Sequence, residues 1–299
     1  MDGFIYHLEM GLRDLTNEIA SRRYRHGGYE RIIVREKKRR DLAIATIRDR
    51  VVHRYVYDQL VEIYDISFDT DVWSCRKSKG LHKSLARTQY LLQKHPHSYV
   101  WRADITKFFD HVQHDALLDC LAKKISQDSE LYWLCGQIIK SYTVSKQASK
   151  QASKQGIPIG NLTSQIFSSI YLNEFDRYIR HTLKPQAYLR YGDDFICIVA
   201  TRRQARQIRQ AAVKFLINVL DLKINAKNDT IVRTSDGLHF LGHCVTSSYI
   251  VVDAHTSRSV LQKVGLHNLA SYQSLLLARD IKKQLYYKCV DEVDRIIQK

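Results

Sequence analysis

A chain of 299 residues with 44% hydrophobic content can bury a sizeable core, and with only 3 prolines and 12 glycines it has no linker-like stretch. The net charge is +16, from 47 Lys+Arg against 31 Asp+Glu, which suits a polyanionic partner because neutralising phosphates releases counterions. Six scattered cysteines with no Cys-x-x-Cys pair argue against a disulfide framework or zinc site and fit a reducing cytoplasm, and no apolar run is long enough to span a bilayer.

The first 99 residues read as helices with a β-hairpin. They open without the basic-then-apolar pattern of a signal peptide, and carry basic runs at Arg22-Arg23-Tyr24-Arg25 and Arg35-Glu36-Lys37-Lys38-Arg39-Arg40. His95 and His97 flank Pro96 in a turn. A short apolar strand, Ser98 to Ala103, then ends on Asp104, followed by Phe108-Phe109 and by Asp110, which is expected to cap the next helix. Ser145 to Gln155 repeats Ser-Lys-Gln-Ala, either as a polar exposed segment or with its lysines on template or primer phosphates. The stretch from Gln155 through Gly156, Pro158, Gly160 and Asn161 to Gln165 reads as a shaped loop where backbone approaches a ligand. An amphipathic helix follows, with Ile166, Phe167, Ile170, Tyr171, Phe175 and Tyr178 at spacings mostly of three and four. Tyr188 to Val199 reads as strand, tight Gly192-Asp193 turn and strand.

Two strands that each deliver an acid suit a two-metal centre for in-line phosphoryl transfer. Asp104 and Asp193 would bridge the ions, Asp194 would lie alongside, and the Ile105 carbonyl would add a hard oxygen of the kind Mg²⁺ takes.

These three segments resemble motifs A, B and C of the reverse transcriptase palm, the last being Tyr191-Gly192-Asp193-Asp194. The resemblance extends upstream through Lys38 to Val52 and Asp71 to Lys83, which are similar to fingers blocks of group II intron-like enzymes. Downstream, Leu222 to Lys227 resembles motif D and Gly237 to His243 the primer-grip turn. It implies an α+β right-hand polymerase: fingers over 1–99, a palm of antiparallel sheet backed by helices over 100–250, and a short helical thumb over 251–299, with no segment left for an RNase H or endonuclease domain. Asn268 to Leu276 and Leu275 to Lys283 would belong to that thumb.

The same resemblance assigns roles. Phe109, five residues after Asp104, stands where reverse transcriptases keep a steric gate against the ribose 2′-OH, or is core packing. Lys38 and Arg40 fall near positions that hold the incoming triphosphate, or form a solvated basic face that binds template at large. Ile159, Gly160 and Gln165 line the motif B position and Lys227 the motif D position. Ile159 replaces the usual Gln and Gln165 the usual Pro, a variant similar to diversity-generating retroelement enzymes. The implied function is a Mg²⁺-dependent RNA-directed DNA polymerase that copies a template RNA into cDNA from dNTPs and a primer, with errors opposite adenine, aided by a small basic accessory protein. A retron or defence-associated enzyme is the alternative, its Val-Thr-Gly triplet met only by Val245-Thr246-Ser247; a catalytically idle, basic RNA-binding scaffold is another.

Overall fold

In the computed structural model, which describes residues 7–35, 39–143 and 154–263, the chain opens on helix α1 (Leu8–Ala20) and a hairpin of β1 (Tyr29–Arg35) and β2 (Arg39–Ala45). Helices α2 (Ile47–Tyr64) and α3 (Leu81–Lys94) lead to β3 (Tyr99–Asp104). Then come α4 (Phe108–His111), α5 (His114–Ala122), α6 (Glu130–Lys140) and α7 (Leu162–Arg177), whose last residues widen into a π-helical turn, Tyr178–Leu183. The chain continues through β4 (Ala187–Tyr191), β5 (Asp194–Val199), α8 (Arg202–Leu220), β6 (Thr230–Arg233), β7 (Leu238–Phe240), β8 (His243–Val245), β9 (Ile250–Val252) and α9 (Ala254–Lys263). Local chemistry sets several starts. Thr46 caps α2 by accepting the Asp49 N–H, and Thr201 with Gln204 forms a reciprocal capping box on α8.

The centre is a four-stranded antiparallel sheet in the order β4-β5-β3-β6. Side chains alternate along a strand, so each strand supplies two cores. On one face Trp101, Phe195 and Cys197 pack with Phe167, Tyr171 and Phe175 of α7 and Leu216 of α8. On the other, Val100, Ile196 and Ile198 pack with Leu85 and Leu92 of α3 and with Phe240 and Val245 of the small β7-β8-β9 sheet. The β4 edge is not open: Trp73 N–H donates to Arg190 O and Arg190 N–H to Asp71 O, both 2.9 Å, adding residues 71–73 as a short parallel partner.

Two sequence expectations change here. The α7 helix is not one-sided: Thr163, Ser164, Ser168, Ser169, Asn173 and Asp176 are buried together with its apolar stripe, because the sheet, α2, α5 and α8 surround it. Asp110 lies inside the four-residue α4, and Gln113 occupies the cap position of the helix that follows. The expected turn at Pro96 is present, closed by Ser98 N–H to His95 O. Lys38, most of the Ser-Lys-Gln repeat and the thumb stretches beyond Lys263 lie outside the described residues, as does the side chain of Arg40.

Candidate active site

Strand register builds the acid cluster. In the β3–β5 pairing Asp104 stands directly opposite Asp194, and in the β4–β5 hairpin Tyr191 pairs with Asp194, leaving Gly192 and Asp193 as the two turn residues. Gly192 has φ 64°, the positive value that the first position of such a turn requires and that glycine adopts without strain. Two like charges facing across strands repel, so each needs a partner. Arg102, two residues before Asp104, places Nη2 3.2 Å from Asp194 Oδ1. Asn225 holds the other acid: its N–H donates to Asp104 O at 2.9 Å and its Nδ2 to Asp104 Oδ2 at 3.3 Å.

Asp104 Oδ1 is buried and has no hydrogen-bond partner. A covered carboxylate oxygen without a donor is costly unless a cation takes it, and carboxylate and carbonyl oxygens are what Mg²⁺ prefers. The donor set therefore fits a hard divalent ion. Among the described residues, however, no group of three or more His, Cys, Asp and Glu side chains is gathered into a metal-holding cluster, and the guanidinium of Arg102 sits on Asp194. Ile105 is buried; the two bonds of its bridge to Ile224 run through Asp104 O and Thr106 N, on either side of its own carbonyl.

The loop before α7 is stitched to both neighbours. On one side Gly156 N–H donates to Val112 O (2.8 Å) and Ile157 N–H to Phe109 O (2.9 Å). On the other, Ile159 O accepts from Ala43 N–H at 2.9 Å. Asn161 takes the cap position of α7 but makes no capping bond: its Oδ1 accepts from Ala45 N–H at 3.1 Å and its Nδ2 donates to Ala43 O at 2.6 Å. The loop thus rides on the β1–β2 hairpin. Gly160, at φ 112°, lets the backbone turn between these bonds.

A family model described as reverse transcriptase (RNA-dependent DNA polymerase) matches residues 30–245, most of the chain, including the three acids and the loop before α7. The chain belongs to the reverse transcriptases. Protein YkfC of Escherichia coli K12 is 28% identical over 273 residues, covering 79% of this chain and 71% of that protein. The group II intron-encoded protein LtrA of Lactococcus lactis is 22% identical over 272 residues, covering 69% of this chain and 44% of LtrA. Among solved structures, apo telomerase from Candida tropicalis superposes with a TM-score of 0.58 at 12% identity, over 89% of this chain and 53% of that one. The fold is that of a right-hand polymerase, and this reverse transcriptase chain spans about half the length of the telomerase chain and less than half of LtrA.

Within this reverse transcriptase, Asp104 and Asp194 face each other across the strands and Asp193 is the next residue along the turn. Phe109 is half-buried beside Phe108, their ring centroids 5.4 Å apart, and Ile159 is half-buried on the loop. Gln165 is exposed on the first turn of α7, and Lys227 is exposed, its N–H donating to Asn225 Oδ1. Sequence reading missed Arg102, Asn161 and Asn225. Asn161 carries a signal, an amide just before an apolar-periodic helix, but that signal predicts a cap and not a clamp on a distant strand.

Behind the loop lies a buried polar chain. His26 Nε2 is 3.0 Å from His53 Nε2, and His53 Nδ1 is 2.6 Å from Thr163 Oγ1 on α7. Asp49 accepts from Tyr24 OH, Gly27 N–H and Thr46 Oγ1 beside it. Burial, and secondarily the neighbouring His26, pushes His53 down to about 4, against the pull of Asp49. The folded protein therefore keeps His53 neutral where the unfolded chain would protonate it. Its contribution to stability is full above pH 6.5 and is lost as pH falls from there toward 4, about 2 kcal/mol by pH 5. Urea unfolding at pH 7 and pH 5 should show that loss in the wild type and a smaller one in His53→Asn; equal losses would refute the assignment.

Proposed function

We propose that this chain copies a template RNA into cDNA by phosphoryl transfer between the primer 3′-OH and a bound dNTP, with the lowered fidelity of a diversity-generating retroelement enzyme. The observation that carries the polymerase reading is the Asp104–Asp194 register, with the covered, unpartnered Asp104 Oδ1 beside it. Reverse transcriptases generally use divalent metal ions. Asp104, Asp193 and Asp194, with the Ile105 carbonyl, would hold Mg²⁺, which when bound supplies charge to acidify the attacking hydroxyl and to stabilise departing pyrophosphate. The chain's own groups prepare this site. Asn225 orients the Asp104 carboxylate, and Arg102 balances Asp194 against its neighbour across the strands. Phe109, joined through its carbonyl to the motif B loop, would stand under the sugar, and Ile159 near the nascent base pair. Lys38 and Arg40 would draw in the triphosphate, Gly160, Gln165 and Lys227 would line its surroundings, and the basic surface would hold template, primer and cDNA. We assign the fingers to 1–99, the palm to 100–250 and the thumb to 251–299, with a small basic protein as accessory and the cytoplasm as location. No helix among the described residues is long and apolar enough to cross a membrane.

Ile159 supports the mutagenic reading because an apolar side chain in place of the usual motif B Gln would remove a polar grip on the base pair. Primer extension on an RNA template with Mg²⁺ and dNTPs, followed by product sequencing, should show errors concentrated opposite template adenine. Ile159→Gln should lower that error rate about fivefold, the value of one contact worth ~1 kcal/mol. Unchanged fidelity in the variant would remove Ile159 from the explanation, and an even error spectrum in the wild type would remove the subfamily.

A further inference from the structure

The catalytic hairpin is tied to the helix beneath it by a buried ion pair that the reaction itself does not call for. Asp176 on α7 and Arg190 on β4 are 1% and 0% exposed. Arg190 Nε donates to Asp176 Oδ1 at 2.7 Å and Nη2 to Oδ2 at 2.6 Å, a bidentate fork, while Tyr188 OH donates to the same Oδ1 at 2.6 Å. The remaining terminal nitrogen, Nη1, donates to Gly192 O at 2.9 Å. That carbonyl belongs to the peptide joining Gly192 to Asp193. The N–H on the other side of Gly192 donates to Ser74 Oγ at 2.9 Å. Both backbone polar groups of the turn glycine are therefore held by side chains, one anchored on α7 and the other on the segment lining the β4 edge.

Burial weighs against the guanidinium's charge, and Asp176 more than offsets it, so Arg190 stays protonated. Buried ion pairs are poor general stabilisers, since apolar residues of similar volume often replace them without loss. What apolar residues cannot do is hold a carbonyl at a fixed angle. Arg190, with no freedom to leave its fork, does this one residue before Asp193.

We propose that Asp176 and Arg190 form a positioning pair that fixes the Gly192–Asp193 peptide plane and thereby the direction of the Asp193 carboxylate. The proposal rests on the reading of Asp193 as a metal-holding acid. It separates two functions of one α7 helix, whose start carries the nucleotide-side loop and whose end sets the acid-bearing turn.

The test compares wild type, Asp176→Leu/Arg190→Met, Arg190→Lys and Asp193→Asn in full-length protein. Three quantities are measured: thermal unfolding, Mn²⁺ binding by electron paramagnetic resonance without substrate, and kcat and KM for dNTP in primer extension. The double variant removes both charges together but leaves the buried Tyr188 hydroxyl without its acceptor, so it should stay folded with a midpoint lowered by several degrees. Its Mn²⁺ affinity should fall about tenfold, as when groups that orient metal ligands are removed, and its kcat about a hundredfold with KM for dNTP nearly unchanged. Arg190→Lys, which retains the charge but cannot span both partners, should weaken Mn²⁺ binding as well. Wild-type Mn²⁺ affinity and kcat in a folded double variant would overturn the proposal. If the double variant does not fold, Arg190→Lys decides by the same two readings. Full Mn²⁺ binding and extension by Asp193→Asn would instead overturn the reading of Asp193 on which the proposal stands.

Discussion

Asp193→Asn, which keeps the side chain's size and removes its charge, is expected to lower the rate of primer extension at least about a thousandfold, ~4 kcal/mol of barrier. The same change should leave the unfolding midpoint nearly unmoved, because Asp193 sits half-buried at a turn whose backbone is held by Ser74 and Arg190. Single-turnover extension on an RNA template, with the thermal midpoint measured alongside, checks both halves. An inactive but unfolded variant would say nothing about chemistry, so the pairing of a large kinetic loss with intact stability is the informative result. More than a tenth of wild-type extension would mean that Asp193 does not hold a reacting ion.

Phe109→Ala carries the second large effect. In wild type the ring is half-buried, set edge-on against Phe108, with its carbonyl bonded to Ile157 N–H of the loop before α7. The backbone bond survives the substitution, so the position of the loop is retained and only the bulk of the ring is lost. Acting as a gate against a ribose 2′-OH, that bulk should account for about a hundredfold of the preference for dNTP over rNTP, or ~2.7 kcal/mol. The measurement is the ratio of kcat/KM for matched deoxy- and ribonucleotides. A simple packing role gives a different pattern: lower stability, by about 1–2 kcal/mol for a partly exposed aromatic, with the ratio unchanged.

Local sequence made the acid-bearing hairpin legible because everything needed to form it is local. Apolar and β-branched runs on either side, a glycine where φ must be positive and acids at the tip all favour a two-residue turn from neighbouring residues alone. The strand ending at Asp104 was legible for the same reason, and the ordered run of blocks from Lys38 to His243 revealed the family. The helix of residues 162–177 was read correctly as a helix but wrongly as one-sided. Hydrophobic spacing reports which residues are apolar and not that three serines, a threonine, an asparagine and an aspartate are buried with them, Thr163 bonded to His53 and Asp176 to Arg190. Asp110 failed as a cap because a residue suited to that role does not say which of two short adjacent helices it will join.

By itself, then, the sequence determined the strand-turn-strand unit, the acids it presents, the basic character of the surface and membership of the family. Only the tertiary structure decided that Asp104 meets Asp194, that Asn225 and Arg102 hold them, that Asn161 clamps the hairpin of residues 29–45, and that Asp176 reaches Arg190. Turns and caps are set by residues a few positions apart, whereas each of these contacts, Arg102 to Asp194 included, joins segments whose approach depends on how the sheet and helices pack. Strand register and buried charge pairing are properties of that packing, and no window of sequence contains them.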